Sequence, residues 1–414
     1  MISTLIRERN DELFERAKRV VPAGMYGHTF VGLNPPSYPQ FFSRGKGCRV
    51  WDVDGNPYID LMCAWGPMVL GYGDAEVEAA AARQRSAGDC LDGPSPVFVE
   101  LAETLVESVP HADWSMFAKN GTDATTLAVR IARAGTGRDK VLMAHGAYHG
   151  VASWCADNKV GIAASEQSDT AYFEYNDLVS AEQAAAALAG QVAAIVVCPM
   201  RHDTRRDVEL VDPEFARGVR ALCDRIGAAL ILDEVRCGMR FDMRGTWEPI
   251  GVRPDLSAWS KAIANGYSLA AVLGIDALRQ PATEIFTTGS FWFGGVAMAA
   301  SLATLAGMRE RDGVGRMSAS GERLREGLRE QATSHGLAIR LTGAPQMPMM
   351  LFARDDARLE RSNAFAGACV ENGVFLHPRH NWFLSAAHTA EDIDEALLAT
   401  DVAFSVVRER FGAE

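Results

Sequence analysis

Between about residue 100 and residue 275 of this 414-residue chain, short apolar runs alternate with longer segments of helical pattern. The runs Lys140–Ala144, Val192–Cys198, Ala228–Asp233, Leu256–Ser260 and Leu269–Gly274 read as strands, being short, β-branched or apolar, and bounded by polar or glycine-bearing stretches. Thr122–Ala134, Ala181–Ala189 and Pro213–Ile226 lie between them and read as helices. A strand with no polar face must be covered on both sides. The alternation therefore predicts an α/β fold, a largely parallel sheet with helices on both faces.

The flanks are different. Met1–Val21 mixes Arg7, Glu8, Arg9, Asp11, Glu12, Glu15 and Arg16 with apolar residues and reads as an amphipathic helix rather than a signal peptide. After residue 305 a charged helix, Val314–Gly336, precedes strand-like Ala338–Leu341, Met349–Ala353 and Phe383–Leu384 and the helices Ser362–Asn372 and Glu391–Arg410. We therefore expect a large domain over residues 56–305 and a smaller α+β domain over 306–414, against which residues 1–55 pack. A formal charge of −12 argues against binding nucleic acid or an anionic membrane surface. No apolar run reaches the roughly 18 residues that a bilayer span needs. Eight scattered cysteines without a C-x-x-C pair suggest reduced thiols in the cytoplasm and no zinc site.

Chemistry enters through a scarce residue. The chain has only six lysines, and two of them, Lys119 and Lys261, end apolar runs just before a glycine-containing turn. Lys261 alone has apolar residues on both sides. Burial disfavours an ammonium and pushes the amine toward its neutral, nucleophilic form, the state used for Schiff-base chemistry with carbonyls. In a parallel sheet, ligands bind outside the carboxyl ends of the strands. Asp233 ends one run, Lys261 follows another, and a third leads into His145-Gly146-Ala147-Tyr148-His149-Gly150. Asn120-Gly121-Thr122 opens a helix whose free N–H groups and positive dipole end suit a phosphate. Taken singly, each has a plain structural alternative: Asp233 as a helix cap, Tyr148 and Trp65 as packing, Lys261 as half of an ion pair.

Taken together, Gly121-Thr122-Asp123-Ala124, Tyr148-His149-Gly150, Asp233-Glu234-Val235 and Ser260-Lys261 stand in the order found in one family. The chain resembles the class III aminotransferases of pyridoxal-phosphate fold type I, nearest the branch of glutamate-1-semialdehyde aminomutase. That resemblance implies a large domain with a mostly parallel, seven-stranded type of sheet, pyridoxal 5'-phosphate as cofactor, and a homodimer with its active site at the subunit interface. It implies that Lys261 forms the Schiff base and moves the proton, and that Asp233 pairs with the pyridine nitrogen. Tyr148 and Val235 would cover the ring faces, and Asn120, Gly121 and Thr122 would hold the phosphate. A hydroxyl from the partner subunit would complete that site, matching Thr288 or Ser290 here. No metal is implied.

The chain departs from the aminomutase branch on the substrate side. Cys198-Pro199-Met200 replaces Glu-Pro-Val, and Gly24–Phe30 lacks the arginine that would hold a substrate carboxylate. The stretch Leu376–Phe383 is shorter and lacks a gating glutamate. Replacements include Trp65, Arg201, His202 and Arg379, which become candidate substrate residues; either arginine could grip a carboxylate in a bidentate pair. The expected function is amino transfer between an amine or amino acid and a carbonyl acceptor. An isomerase, either an aminomutase or an amino-acid epimerase, is the alternative, and a scaffold without turnover is the third reading.

Overall fold

A computed structural model of the chain describes residues 5–29, 34–202 and 206–413. It divides into two compact units. The first holds Met1–Asp74, Thr204–Val208 and Gly315–Glu414; the second holds Ala75–Asp203 and Glu209–Val314.

The second unit is built on seven strands: β1 (Trp114–Ala118), β2 (Lys140–Ala144), β3 (Thr170–Phe173), β4 (Val192–Val197), β5 (Ala229–Asp233), β6 (Leu256–Trp259) and β7 (Ala270–Gly274). Their order across the sheet is β1-β7-β6-β5-β4-β2-β3. Neighbouring strands from β6 to β3 pair in parallel. Strand β7 is antiparallel to both β6 and β1. Residues 260–269 alone join β6 to β7, too short a link for the crossover that a parallel pair requires.

Strands β4 to β7 are buried along their whole length, as a doubly covered sheet demands. Alternate side chains serve opposite faces. Val196, Ile231 and Ala258 pack with Ala128 and Ile131 of the helix Gly121–Thr136. Ile195, Leu230 and Leu232 pack with Phe215, Val219 and Leu222 of the helix Pro213–Ile226. Asp212 caps that second helix by accepting from Glu214 N–H at 2.7 Å, and left-handed Gly227 ends it.

The first unit carries a four-stranded sheet in the order Phe42–Lys46, Arg49–Asp52, Pro57–Asp60, Val374–Phe375, plus the pair Ile339–Thr342 and Met349–Phe352. Its helices include Glu8–Ala17, Glu360–Glu371 and Ala390–Phe411. The unit boundaries fall at residues 74 and 314, where the sequence suggested 55 and 305. Strand Pro57–Asp60 belongs to the first unit's sheet, which draws the residues after 55 into that unit.

Phe383–Leu384 is not a strand. Phe383 N–H donates to Leu61 O at 2.8 Å, whereas Leu384 N–H donates to Gln346 O at 3.0 Å, so the segment bridges two neighbours and forms a ladder with neither. The amphipathic N-terminal helix spans Glu8–Ala17, shorter than the pattern over residues 1–21.

Ile231 is fully buried at the centre of the sheet. Ile231→Ala is expected to destabilise the protein by about 2–5 kcal/mol, combining lost transfer free energy with a residual cavity. A urea titration followed by circular dichroism checks this.

Candidate active site

The parallel strands of the second unit deliver their following residues to one edge of the sheet. Asn120 comes after β1, the His145–Gly150 loop after β2, Asp233 at the end of β5, and Lys261 just beyond β6.

Asp233 is 5 % exposed. Its Oδ2 accepts from His149 Nδ1–H at 2.7 Å and its Oδ1 accepts from Val235 N–H at 3.1 Å. A carboxylate only accepts, so the proton of neutral His149 sits on Nδ1 and its Nε2 is left bare. That Nε2 is buried without a partner among the described residues. His149 is tied in turn to the helix Gly121–Thr136, because Thr125 Oγ1 donates to His149 O at 2.8 Å. The ring lies parallel to Trp154, centroids 6.3 Å apart, and Trp154 Nε1–H donates to Thr126 Oγ1 at 3.1 Å.

The phosphate-type turn is packed equally closely. A Cβ on Gly121 would stand 2.6 Å from Val235 Cγ1, and one on Gly150 would stand 2.5 Å from Thr122 Oγ1. Only glycine permits both approaches, and Gly150 also takes φ +117°. Asp123 Oδ2 accepts from Asn120 N–H at 2.9 Å across the helix start. The first-turn N–H groups of the helix have no intrahelical acceptor and face the same edge.

Lys261 adopts φ +51°, a left-handed conformation worth about 1–3 kcal/mol of strain for a residue with a Cβ. The turn is braced from both ends. Ser260 Oγ donates to Leu269 O at 2.8 Å, and Ser301 Oγ donates to Ile263 O at 2.7 Å from the helix Gly295–Glu310. Burial is the main cause that lowers the Lys261 amine to about 7; the Arg236 charge lowers it further, while Asp233 pulls the other way. Burial raises the Tyr148 hydroxyl, with Arg236 opposing, and the Tyr148 ring is half exposed. Glu234, buried beside Asp233, accepts from Thr246 N–H at 2.7 Å and O–H at 2.6 Å; burial moves its carboxyl up to about 7.

The second unit thus brings together Asn120, Gly121, Thr122, Tyr148, Asp233, Val235 and Lys261. Thr288 and Ser290 lie exposed on the loop before the helix Gly295–Glu310. Arg201 sits on the hairpin Met200–Arg201/Glu209–Leu210 with its Nη2 on Glu209 Oε1 at 2.9 Å, so a substrate carboxylate would compete with a resident one. His202 is buried beside it in the chain. Trp65 and Arg379 belong to the first unit. Sequence reasoning missed two members. His149 stood in the quoted Tyr-His-Gly motif without a role, and Arg236 lies three residues beyond Asp233, a cation whose field reaches Lys261 and Tyr148.

The arrangement suits an aldehyde-bearing aromatic phosphate: an amine to condense, a fixed carboxylate to hold a ring N–H, a glycine-tight helix start for the phosphate. The aminotransferase class-III family model matches residues 33–397. The chain is a class III aminotransferase. Aminopentol aminotransferase of Sphingopyxis macrogoltabida is 49 % identical over 405 residues, covering 98 % of this chain and 96 % of the relative. The FumI protein of Sphingopyxis sp. MTA144, solved in a PLP internal aldimine form, superposes with a TM-score of 0.95 at 49 % identity, covering 97 % of each chain. A glutamate-1-semialdehyde 2,1-aminomutase of Desulfatibacillum aliphaticivorans is 30 % identical over 420 residues, covering 95 % of this chain and 98 % of the relative. The aminotransferase is pyridoxal-phosphate-dependent, and transfer rather than isomerisation is its reaction class.

A lowered lysine has a direct readout in the cofactor-free protein. Lys261 is protonated and inert below about pH 7 and reactive above it, where ordinary lysines need pH near 10.5. Peptide-resolved mass spectrometry after brief modification with an amine reagent across pH is expected to show half-labelling of Lys261 near pH 7.

Proposed function

We propose that this aminotransferase takes its amino group from a hydroxylated primary amine with an apolar body, and that it works as a homodimer in the cytoplasm. The relative at 49 % identity is named for an aminopentol, and the substrate-side sequence here is rich in aromatic residues. In that reading Asn120, Gly121 and Thr122 hold the cofactor's phosphate, and Asp233 accepts a hydrogen bond from its ring nitrogen. Tyr148 and Val235 would bracket the ring, and Lys261 would bond the aldehyde carbon. Bound there, pyridoxal phosphate supplies an electron sink for a carbanion at the donor carbon.

The chain's own groups do the rest. The single observation that carries the reading is a lysine held near neutrality within the fields of Asp233 and Arg236. Its Nζ is a nucleophile at physiological pH and, with the cofactor and donor in place, would serve as the base that holds or removes the proton at the donor carbon. His149 orients Asp233 and satisfies one of its buried oxygens through the 2.7 Å hydrogen bond. Trp65, His202 and Arg379 remain substrate-side residues in this proposal; Arg201, engaged by Glu209, contributes to shape rather than to carboxylate capture.

The second copy is argued from apolar exposure on the second unit. Leu91, Val99, Phe286, Phe291 and Phe293 are all more than 40 % exposed. A groove of about 400 Å³ lined by Ala80, Val97, Ala299 and Leu302 lies on the same unit. Exposed apolar side chains that join into one large patch mark a protein interface. Thr288 and Ser290 lie within the same loop as Phe286 and Phe291, which fits the partner-donated hydroxyl.

Loaded enzyme incubated with a panel of amines and keto acids, followed by cofactor absorbance, tests the substrate reading. Hydroxylated long-chain amines are expected to convert the cofactor to its amine form in one equivalent, and short carboxylated donors to do so poorly. Lys261→Ala is expected to cut the rate about 10²–10⁴-fold. Sedimentation velocity is expected to give a dimer; an active monomer would remove the interface from the proposal.

A further inference from the structure

In the first unit, Cys63, Ala64, Trp65 and Gly66 take φ values of +47°, +53°, +66° and +107° in succession. Three of these four residues have a Cβ, which clashes with the following carbonyl in this region. Such a run persists only when its surroundings over-determine it. Buried Asp60 supplies one hold: Oδ1 accepts from Met62 N–H at 2.7 Å and Oδ2 from Tyr72 O–H at 2.7 Å. Phe383 supplies another, its Cε1 standing 2.9 Å from where a Cβ on Gly66 would be.

The turn does not bury Trp65. The indole stays partly exposed and meets three imidazoles edge-on: His28 at 4.4 Å, His380 at 5.0 Å and His377 at 5.3 Å between ring centroids. Two of the imidazoles have fixed tautomers. Arg379 N–H donates to His377 Nδ1 at 3.1 Å, so His377 carries its proton on Nε2. His380 Nδ1–H donates to Asn381 O at 2.6 Å, so in the neutral ring Nε2 is the accepting nitrogen. Burial, with the charges of Arg379 and His28, lowers His377 to about 4 and keeps it neutral at physiological pH.

An indole face flanked by one fixed donor and one fixed acceptor matches a carbon chain that bears hydroxyls. The C–H groups lie on the ring, and each O–H both accepts and donates. The nearby Arg379 charge disfavours an ammonium there. We propose that Trp65, His28, His377 and His380 form a recognition site for a neutral hydroxylated hydrocarbon chain. Assigning that chain to the amino donor rests on the function proposed above; the ligand chemistry does not.

Hexane-1,2-diol and 1-hexanol are the probes, titrated into the loaded enzyme and followed by saturation-transfer NMR. The diol is expected to bind more tightly than the alcohol. His377→Phe and His380→Phe, which keep a ring and remove the polar nitrogens, are each expected to weaken diol binding about three- to tenfold, and His377→Gln to restore part of it. Wild-type enzyme that binds both probes equally overturns the proposal whatever the variants do, as does diol binding untouched by both phenylalanine variants. In parallel, kcat/KM is measured for a long-chain amine with and without a vicinal diol. If the diol site behaves as expected but neither amine is a donor, the recognition site stands and the donor reading falls. If both amines are donors and neither the hydroxyls nor the variants change their ratio while the probes bind as expected, the recognition site stands and its assignment to the donor falls.

Discussion

The 2.7 Å hydrogen bond between His149 Nδ1 and Asp233 Oδ2 is the contact on which the rest of the site depends. A carboxylate this buried is tolerated as an anion only if its oxygens are satisfied, and the second oxygen has the Val235 amide. The bond also ties separate parts of the sheet together. Asp233 ends β5, whereas His149 follows β2 and is clamped by Thr125 to the helix that begins at the phosphate-type turn. Carboxylate, aromatic loop and helix start are therefore held as one block, with glycines at 121 and 150 allowing contact at their closest points. Loss of the imidazole would free a buried charge and release the Tyr148 loop from Asp233 at the same time.

Lys261 depends on that block electrostatically and on its own turn sterically. Its left-handed backbone follows from reversing direction between β6 and the antiparallel β7 within residues 260–269. A crossover helix would have made β7 parallel and carried Lys261 into regular helical geometry. The single antiparallel strand is thus coupled to the strained presentation of the amine. Arg236 and Asp233 act on that amine with opposite signs, so desolvation decides the direction and places it where a neutral nucleophile is available near pH 7.

Much of this was legible in the sequence because it is written in strand ends. Val192–Val197 and Ala229–Asp233 are continuous apolar runs, and such runs stop where the backbone leaves the sheet, which puts Asp233 and Lys261 on one edge without further information. The residues of β7 would suit either pairing; its direction was legible only in the shortness of the link that precedes it. Phe383–Leu384 misled because burial resembles strand pattern when a segment bridges two neighbours singly. Strand Thr170–Phe173, at the sheet edge and with only its last residue buried, carried too little apolar signal. Arg236 gave no signal either, for one arginine among many in the chain looks like surface charge until its neighbours are known.

The substrate side was harder to read for a related reason. Cofactor chemistry needs groups at fixed backbone positions, and relatives as different as an aminopentol aminotransferase and a glutamate-1-semialdehyde aminomutase match this chain over nearly its whole length. The proposed recognition site depends on side-chain convergence without sequence period: His28, Trp65, His377 and His380 come from three separate stretches, and one sits on a turn whose left-handed run no propensity would suggest. Arg201 shows the converse, a residue of the right chemistry already occupied by Glu209. The chemistry of a site can therefore be read from where strands end, whereas its choice of molecule depends on which side chains the loops leave facing one another.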